Sequence, residues 1–293
     1  MEAIVTLMEF EKAPGSVGML WKAAWARKKG RFVKEGLQRF EARMQCSAGE
    51  GVAEYRAICG FEEASSIPIT FPHILAAPLH LAIATHSKFP LPAMGLIHAS
   101  NRIVQHRPLG AEETLDIRCW IEGHRVVAIG IEADLMTEIK VGEEIVWESC
   151  STVLSRAVEG DGVKRPRPKP PEIEDQLTLD WSLPANLGRS YGGISKDYNP
   201  IHLYPWTAKL FGFRRQIAHG MCLLGMSAAA LPPVKEGSAV LEVHFRKPVF
   251  LPTPVKLASG AHQEGQAFRL LAAKDGKVHF HGWLGPLTEH GND

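Results

Sequence analysis

The sequence predicts an α+β fold made of two copies of one unit, each an antiparallel β-sheet wrapped around a long apolar helix. Three observations carry this. Two apolar stretches, Phe71–Thr85 and residues 217–231, are long enough to be buried helices, and four strand-like runs follow each. A strand and a short helix precede each of them. Between the two sets, at 156–176, Lys164, Arg165, Arg167 and Lys169 alternate with Pro166, Pro168, Pro170 and Pro171, which describes a stiff extended linker. A chain of 293 residues is expected to hold about two cores, and duplication explains that length without a second kind of domain. The expected divisions are 1–155, a linker at 156–173, and 174–293.

In the first set, residues 38–46 alternate as a strand and 51–59 read as a short helix stopped by Gly60. Strands are expected at 96–104, 114–122, 126–136 and Glu144–Ser155, where β-branched and aromatic residues gather. After the linker, 177–181 reads as a strand and 184–191 as a short helix. Strands at 240–247, 255–260, 267–273 and 278–283 follow the second long helix. Residues 1–35 offer only an amphipathic helix at 17–29, with Leu20, Trp21 and Ala24 at helical spacing. The basic, proline-rich run reads first as a solvated linker; docking of a phosphate or an acidic partner is its functional alternative.

Composition excludes several classes. A formal net charge of +1 gives no reason to expect nucleic acid or an anionic membrane surface. Five widely spaced cysteines without a C-x-x-C suit free thiols in a reducing compartment, not a disulfide frame or zinc. The N-terminus, with Glu2, Glu9 and Glu11, does not read as a secretory signal. The most apolar window, 67–85, is broken by Pro68, Pro72, Pro78, His73 and His80, so a buried helix explains it better than a membrane span. A cytoplasmic protein is expected. His73, His80 and His86 lack metal-ligand spacing, and no phosphate loop or G-x-S-x-G elbow is present. No metal and no cofactor are implied.

The two copies differ at one place. From Tyr191 to His219 is 28 residues, against 18 from Tyr55 to His73. The additional residues hold Asp197, Asn199, Pro200 and His202. Asn199-Pro200 favours a turn, which lets a carboxylate and an imidazole five positions apart converge. Pro205 suits the first position of a short helix that Gly212 ends. The first half has no aspartate with a histidine at that spacing, so one active centre is expected, in the second half.

Tyr191, Ser195, Asp197, Asn199-Pro200-Ile201-His202, Ala208, Gly212-Phe213 and Ala218-His219-Gly220-Met221 together resemble the signature of MaoC-like, R-specific enoyl-CoA hydratases. Gly95-Leu96-Ile97-His98 and Asn101-Arg102 also look like the first repeat of double hot-dog members, which carry the signature in their second repeat. The resemblance implies a double hot-dog fold and reversible hydration of trans-2-enoyl thioesters to (R)-3-hydroxyacyl thioesters. The acyl group would be borne by coenzyme A or an acyl carrier protein, and a homodimer is expected. Asp197 and His202 match the catalytic pair that holds one water. Gly220, at a helix start, would offer its N–H to the thioester oxygen and, lacking a Cβ, let the carbonyl approach. His219 is an alternative acid and Asn199 a loop brace, both placed with the substrate-binding residues. Arg214, Arg215, Arg246 and Lys247 are candidates for the phosphates of coenzyme A, although Arg246-Lys247-Pro248 also resembles a strand motif of the family. Two positions depart from the pattern. Lys196 stands where Gly often precedes the Asp. Tyr204 replaces the usual Asp or Asn cap, which would loosen the short helix or narrow the pocket mouth.

Two rivals remain at this point. A hot-dog thioesterase would place a carboxylate on the second long helix, and 217–231 contains none. A non-catalytic acyl-thioester-binding protein would bind without turnover.

Overall fold

A computed structural model describes residues 5–15, 18–19, 39–164, 166–234 and 237–288. The helix expected at 17–29 lies outside the described residues, apart from Gly18 and Met19. The strands are β1 (Val5–Phe10), β2 (Arg39–Ser47), β3 (Ile97–Gln105), β4 (Thr114–Val127), β5 (Gly130–Val141) and β6 (Glu144–Ser155), then β7 (Leu177–Leu183), β8 (Ala239–Phe245), β9 (Thr253–His262), β10 (Gly265–Ala272) and β11 (Val278–Gly285). They form one sheet in the order β1-β2-β4-β5-β6-β3-β8-β11-β10-β9-β7. Read outward from the β3–β8 junction, the two halves repeat the same path. The exception is β1, which adds parallel to β2 and was not foreseen.

At the junction β3 and β8 pair antiparallel, with Arg102 opposite Glu242 and their side chains 2.8 Å apart. The helices are α1 (Val52–Cys59), α2 (Phe71–Thr85), α3 (Leu187–Ser195), α4 (Pro205–Leu210) and α5 (Gly220–Ala230), with a single 3₁₀ turn at Pro200–His202. The helix α2 lies against β2 and β4, and α1 packs on α5. Gly225 of α5 makes that last contact possible, since a Cβ there would sit 2.4 Å from the Tyr55 hydroxyl. Residues Met221, Cys222, Leu223, Leu224 and Ala228 bury α5 on most of its circumference, as expected of a helix without a polar face. Trp147 is fully buried and donates from Nε1 to the Ile69 carbonyl at 2.9 Å. All five cysteines are free. Among the described residues no helix is long and apolar enough to cross a membrane.

Several boundaries differ from expectation for physical reasons. Gly123 does not end a strand; it sits at a register shift within β4, where a bulge bends the ladder. The hairpin turn falls later, at residues 128–129, so Val126 lies at the end of β4, which Val127 closes, instead of opening β5. The second long helix begins at Gly220, not at 217. Ile217 bridges Phe250, and the Ala218 amide donates to the Val249 carbonyl at 2.9 Å, so 217–219 is extended. The linker is not merely solvated. The Pro168 carbonyl accepts from Arg246 and, at 3.2 Å, from His281, and the amides of Asp161 and Gly162 donate to the Val127 and Ala128 carbonyls.

Candidate active site

The helix α3 ends at Ser195, and Lys196 turns the chain with φ 56°, in the left-handed region. That conformation is nearly free for glycine and costs other residues about 1–2 kcal/mol, which explains why a glycine suits this position. Lys196→Gly is expected to raise stability by about 1 kcal/mol, measured by denaturant unfolding; an unchanged midpoint would show the turn is unstrained.

Beyond the turn, side chains brace the backbone. Ser195 Oγ accepts from the Asp197 amide at 3.3 Å and donates to the Tyr191 carbonyl at 2.9 Å. Asp197 Oδ1 accepts from the Asn199 amide at 3.1 Å, and Asn199 Oδ1 from the Ile201 amide at 3.4 Å. Two successive Asx turns thus fold the loop into the 3₁₀ turn that carries His202. Asn199 braces the loop, as the sequence suggested.

His202 is buried, and its Nδ1 donates to the Ile217 carbonyl at 2.8 Å. A carbonyl only accepts, so the proton sits on Nδ1 and the Nε2 lone pair is left for chemistry. The His219 ring stacks on His202 with centroids 3.7 Å apart. Its Nε2 lies 3.2 Å from the Asp197 carbonyl and 3.6 Å from Asp197 Oδ2. Polar atoms of Asp197, His202 and His219 all lie within 4.8 Å of one another. Such a three-donor set could hold a metal ion, although the main-chain bonds already occupy one nitrogen on each ring.

Burial pushes the His202 imidazole below its usual value against the pull of Asp197. His219 falls to about 3, through burial first and the His202 ring second. A ring held that low is neutral near pH 7, which disfavours His219 as an imidazolium acid. Enclosure likewise depresses His73, His80 (about 3) and His98 (about 4), although each keeps some surface toward a cavity. The unfolded chain therefore binds more protons than the folded one below the unfolded value of about 6.5, and stability rises with pH. The contribution is complete above that value and is lost as pH falls toward the folded values. The fold is expected to be less stable near pH 5.5 than near pH 7.5, by up to about 1.4 kcal/mol per group, and so to melt at a lower temperature. Equal melting temperatures would contradict these assignments.

Asp197, Asn199, His202, His219 and Gly220 all line one cavity of about 1540 Å³. Gly220 opens α5, so its N–H has no intrahelical acceptor. The structure adds a second reason for glycine there: a Cβ would meet the Phe245 ring at 2.8 Å, so the absent side chain makes room for Phe245. Arg214 and Arg215 do not line the cavity; the Arg214 guanidinium lies over the Phe250 ring at 4.3 Å. The lining cations include Lys164, Arg167, Arg246 and Lys247.

Tyr204 does not narrow the mouth. It stacks on Trp206 and under Arg189, away from the cavity lining. Thr207 holds the start of α4 instead, accepting from the Tyr204 amide at 3.2 Å and donating to the Pro200 carbonyl at 2.6 Å. Two glycines of α3 went unnoticed in the sequence. A Cβ on Gly188 would lie 2.1 Å from the His202 carbonyl oxygen, and one on Gly192 would lie 3.0 Å from that of Asp197. Their spacing of four places both on one helical face, and that spacing was the available signal.

The family model described as MaoC like domain matches residues 166–277. The chain is 34% identical over 208 residues to 3-hydroxyacyl-thioester dehydratase X of Mycobacterium tuberculosis, covering 70% of this chain and 74% of that protein. It is 53% identical over 156 residues to peroxisomal enoyl-CoA hydratase 2 of Arabidopsis thaliana, covering 46% and 48% of the two chains. Among solved structures, that of HtdX of Mycobacterium tuberculosis superposes with a TM-score of 0.70 at 28% identity, covering 84% of this chain and all (100%) of that one.

Proposed function

The chain belongs to the MaoC-like family of hydratases and dehydratases, lyases with the double hot-dog fold, and on that premise we propose that it adds water to trans-2-enoyl thioesters, reversibly, to give (R)-3-hydroxyacyl thioesters. The R configuration rests on the signature alone. One observation carries the chemistry: the carboxylate of Asp197 and the imidazole of His202 converge on the wall of one cavity, within 4.8 Å.

A water between them donates to both. As its oxygen bonds C3, one proton passes to His202 Nε2, and the electron pair of the double bond moves toward the thioester oxygen. The Gly220 N–H, at the positive end of α5, stabilises that oxygen. The imidazolium then returns its proton to C2. A hydrogen and a hydroxyl have been added from one face, and the enzyme is restored. Residues 1–155 and 174–293 act as the two repeats, joined by 156–173. A cytoplasmic location and the pairing of two chains belong to the same proposal.

The test is loss of enoyl-thioester absorbance without release of free thiol. Release of thiol would favour a thioesterase, whose helical carboxylate α5 lacks. Binding without either change would favour a non-catalytic binder.

A further inference from the structure

The first half carries a cluster of histidines that the reaction does not use. The His73 ring lies 5.3 Å from that of His80 and 6.0 Å from that of His98, centroid to centroid. All three line a smaller cavity of about 230 Å³ whose wall also includes Asp197 and Asn199, and His73 and His98 line the larger cavity as well. His98 in turn lies 5.2 Å from the Phe245 ring, for which Gly220 makes room. The cluster is thus joined to the reacting centre along one wall. Phe89, Ile121 and Leu135 supply apolar lining to the small cavity.

Two of these rings lack partners. His80 Nε2 meets Thr137 Oγ1 at 2.7 Å, but His73 Nδ1 and His98 Nε2 are buried with no hydrogen bond among the described residues. Duplication explains the first. His73 stands in the first half where His219 stands in the second. His219 Nε2 lies 3.2 Å from the Asp197 carbonyl, and the shorter first half has no such loop to supply one. Polar atoms left in this way cost stability, and an alkyl chain lying among them would leave them unanswered. Burial depresses all three rings, so near pH 7 each is neutral, with one N–H and one lone pair. An uncharged hydroxyl answers either, being donor and acceptor at once. A carboxylate only accepts, and among the described residues Lys196 is the one lysine or arginine lining the small cavity.

We propose that His73 and His98, backed by His80, recognise a hydroxyl group on the acyl chain beyond the carbons that react, so that the preferred substrates are hydroxylated 2-enoyl thioesters and not plain alkyl ones. This inference rests on the hydratase reading for its substrate, but the site is testable without turnover.

The experiment takes the full chain and a set of 2-enoyl-CoA thioesters of equal length: one unsubstituted, several with a hydroxyl at successive carbons beyond the double bond, and one ending in a carboxylate. For one of the hydroxylated members kcat/KM is expected to exceed that of the unsubstituted thioester by about tenfold or more, because a site built to bond a hydroxyl rejects the analogue without it. His73→Phe and His98→Leu each exchange an unpartnered nitrogen for an apolar group. Each should bring that ratio close to one, with the melting temperature held or raised. Calorimetry with the corresponding saturated acyl-CoA thioesters should rank them in the same order. No advantage for any hydroxylated member, a larger advantage for the carboxylate, or an advantage that survives both variants would each overturn the site. Should a variant fail to fold, the ratio in the wild type still decides. Tighter binding of a hydroxylated thioester that both variants abolish, with no enoyl thioester hydrated, would sustain the site and remove the hydratase reading instead.

Discussion

Asp197→Asn is expected to lower kcat for hydration of a 2-enoyl-CoA by about 10²–10⁴-fold, with KM and melting temperature close to those of the parent. The asparagine oxygen can still accept from the Asn199 amide, as Asp197 Oδ1 does at 3.1 Å, so the loop keeps its Asx turn. The amide nitrogen then replaces Oδ2, and where a water proton met an acceptor it meets a donor. His202→Ala removes the other partner and should cost a similar factor. The double variant should be little worse than either single one, because the two groups act on one water as a unit. Initial rates read from enoyl absorbance decide the matter. A variant with near-parental kcat would mean that its residue takes no part in the proton transfers.

The second large effect is expected from a residue that touches no substrate. Gly188→Ala should lower kcat by roughly 10²-fold and destabilise the fold by about 1–3 kcal/mol. The added methyl would lie 2.1 Å from the His202 carbonyl oxygen, so either α3 or the 3₁₀ turn must shift, and His202 moves with the turn. Gly192→Ala, with its nearest atom 3.0 Å away at the Asp197 carbonyl, should show a milder version of both losses. Gly193→Ala is the control in the same helix. Nothing lies within 4 Å of its Cβ position, and alanine should stabilise the helix by up to about 1 kcal/mol without loss of rate. Were Gly188→Ala as active as Gly193→Ala, the packing of the loop on α3 would have no bearing on the chemistry.

The repeat and the site loop were legible because both are written in local rules. Asn199-Pro200 makes its turn from its own side chains, Gly60 caps α1 at φ 82°, and Pro205 opens α4. The features that escaped depend on partners distant in sequence. The strand β1 has only six residues and pairs with β2 across more than twenty intervening positions, so nothing near it announces a strand. The proline-rich run has the composition of a solvated spacer. Only the second half, through Arg246 and His281, gives it a surface to rest on. Arg214 carries the charge a phosphate would need, but its neighbour is the Phe250 ring. At Gly220 the sequence shows nothing of the Phe245 ring of β8, which a Cβ there would meet at 2.8 Å.

The β3–β8 ladder has a consequence for how this chain can be taken apart. Eleven strands share one continuous sheet, so severing the molecule between its halves would bare a full row of backbone donors and acceptors on each piece. Such a border is adhesive toward any other strand. The halves are therefore obligate companions, and neither is a module that could be lent to another protein unless its seam were first covered.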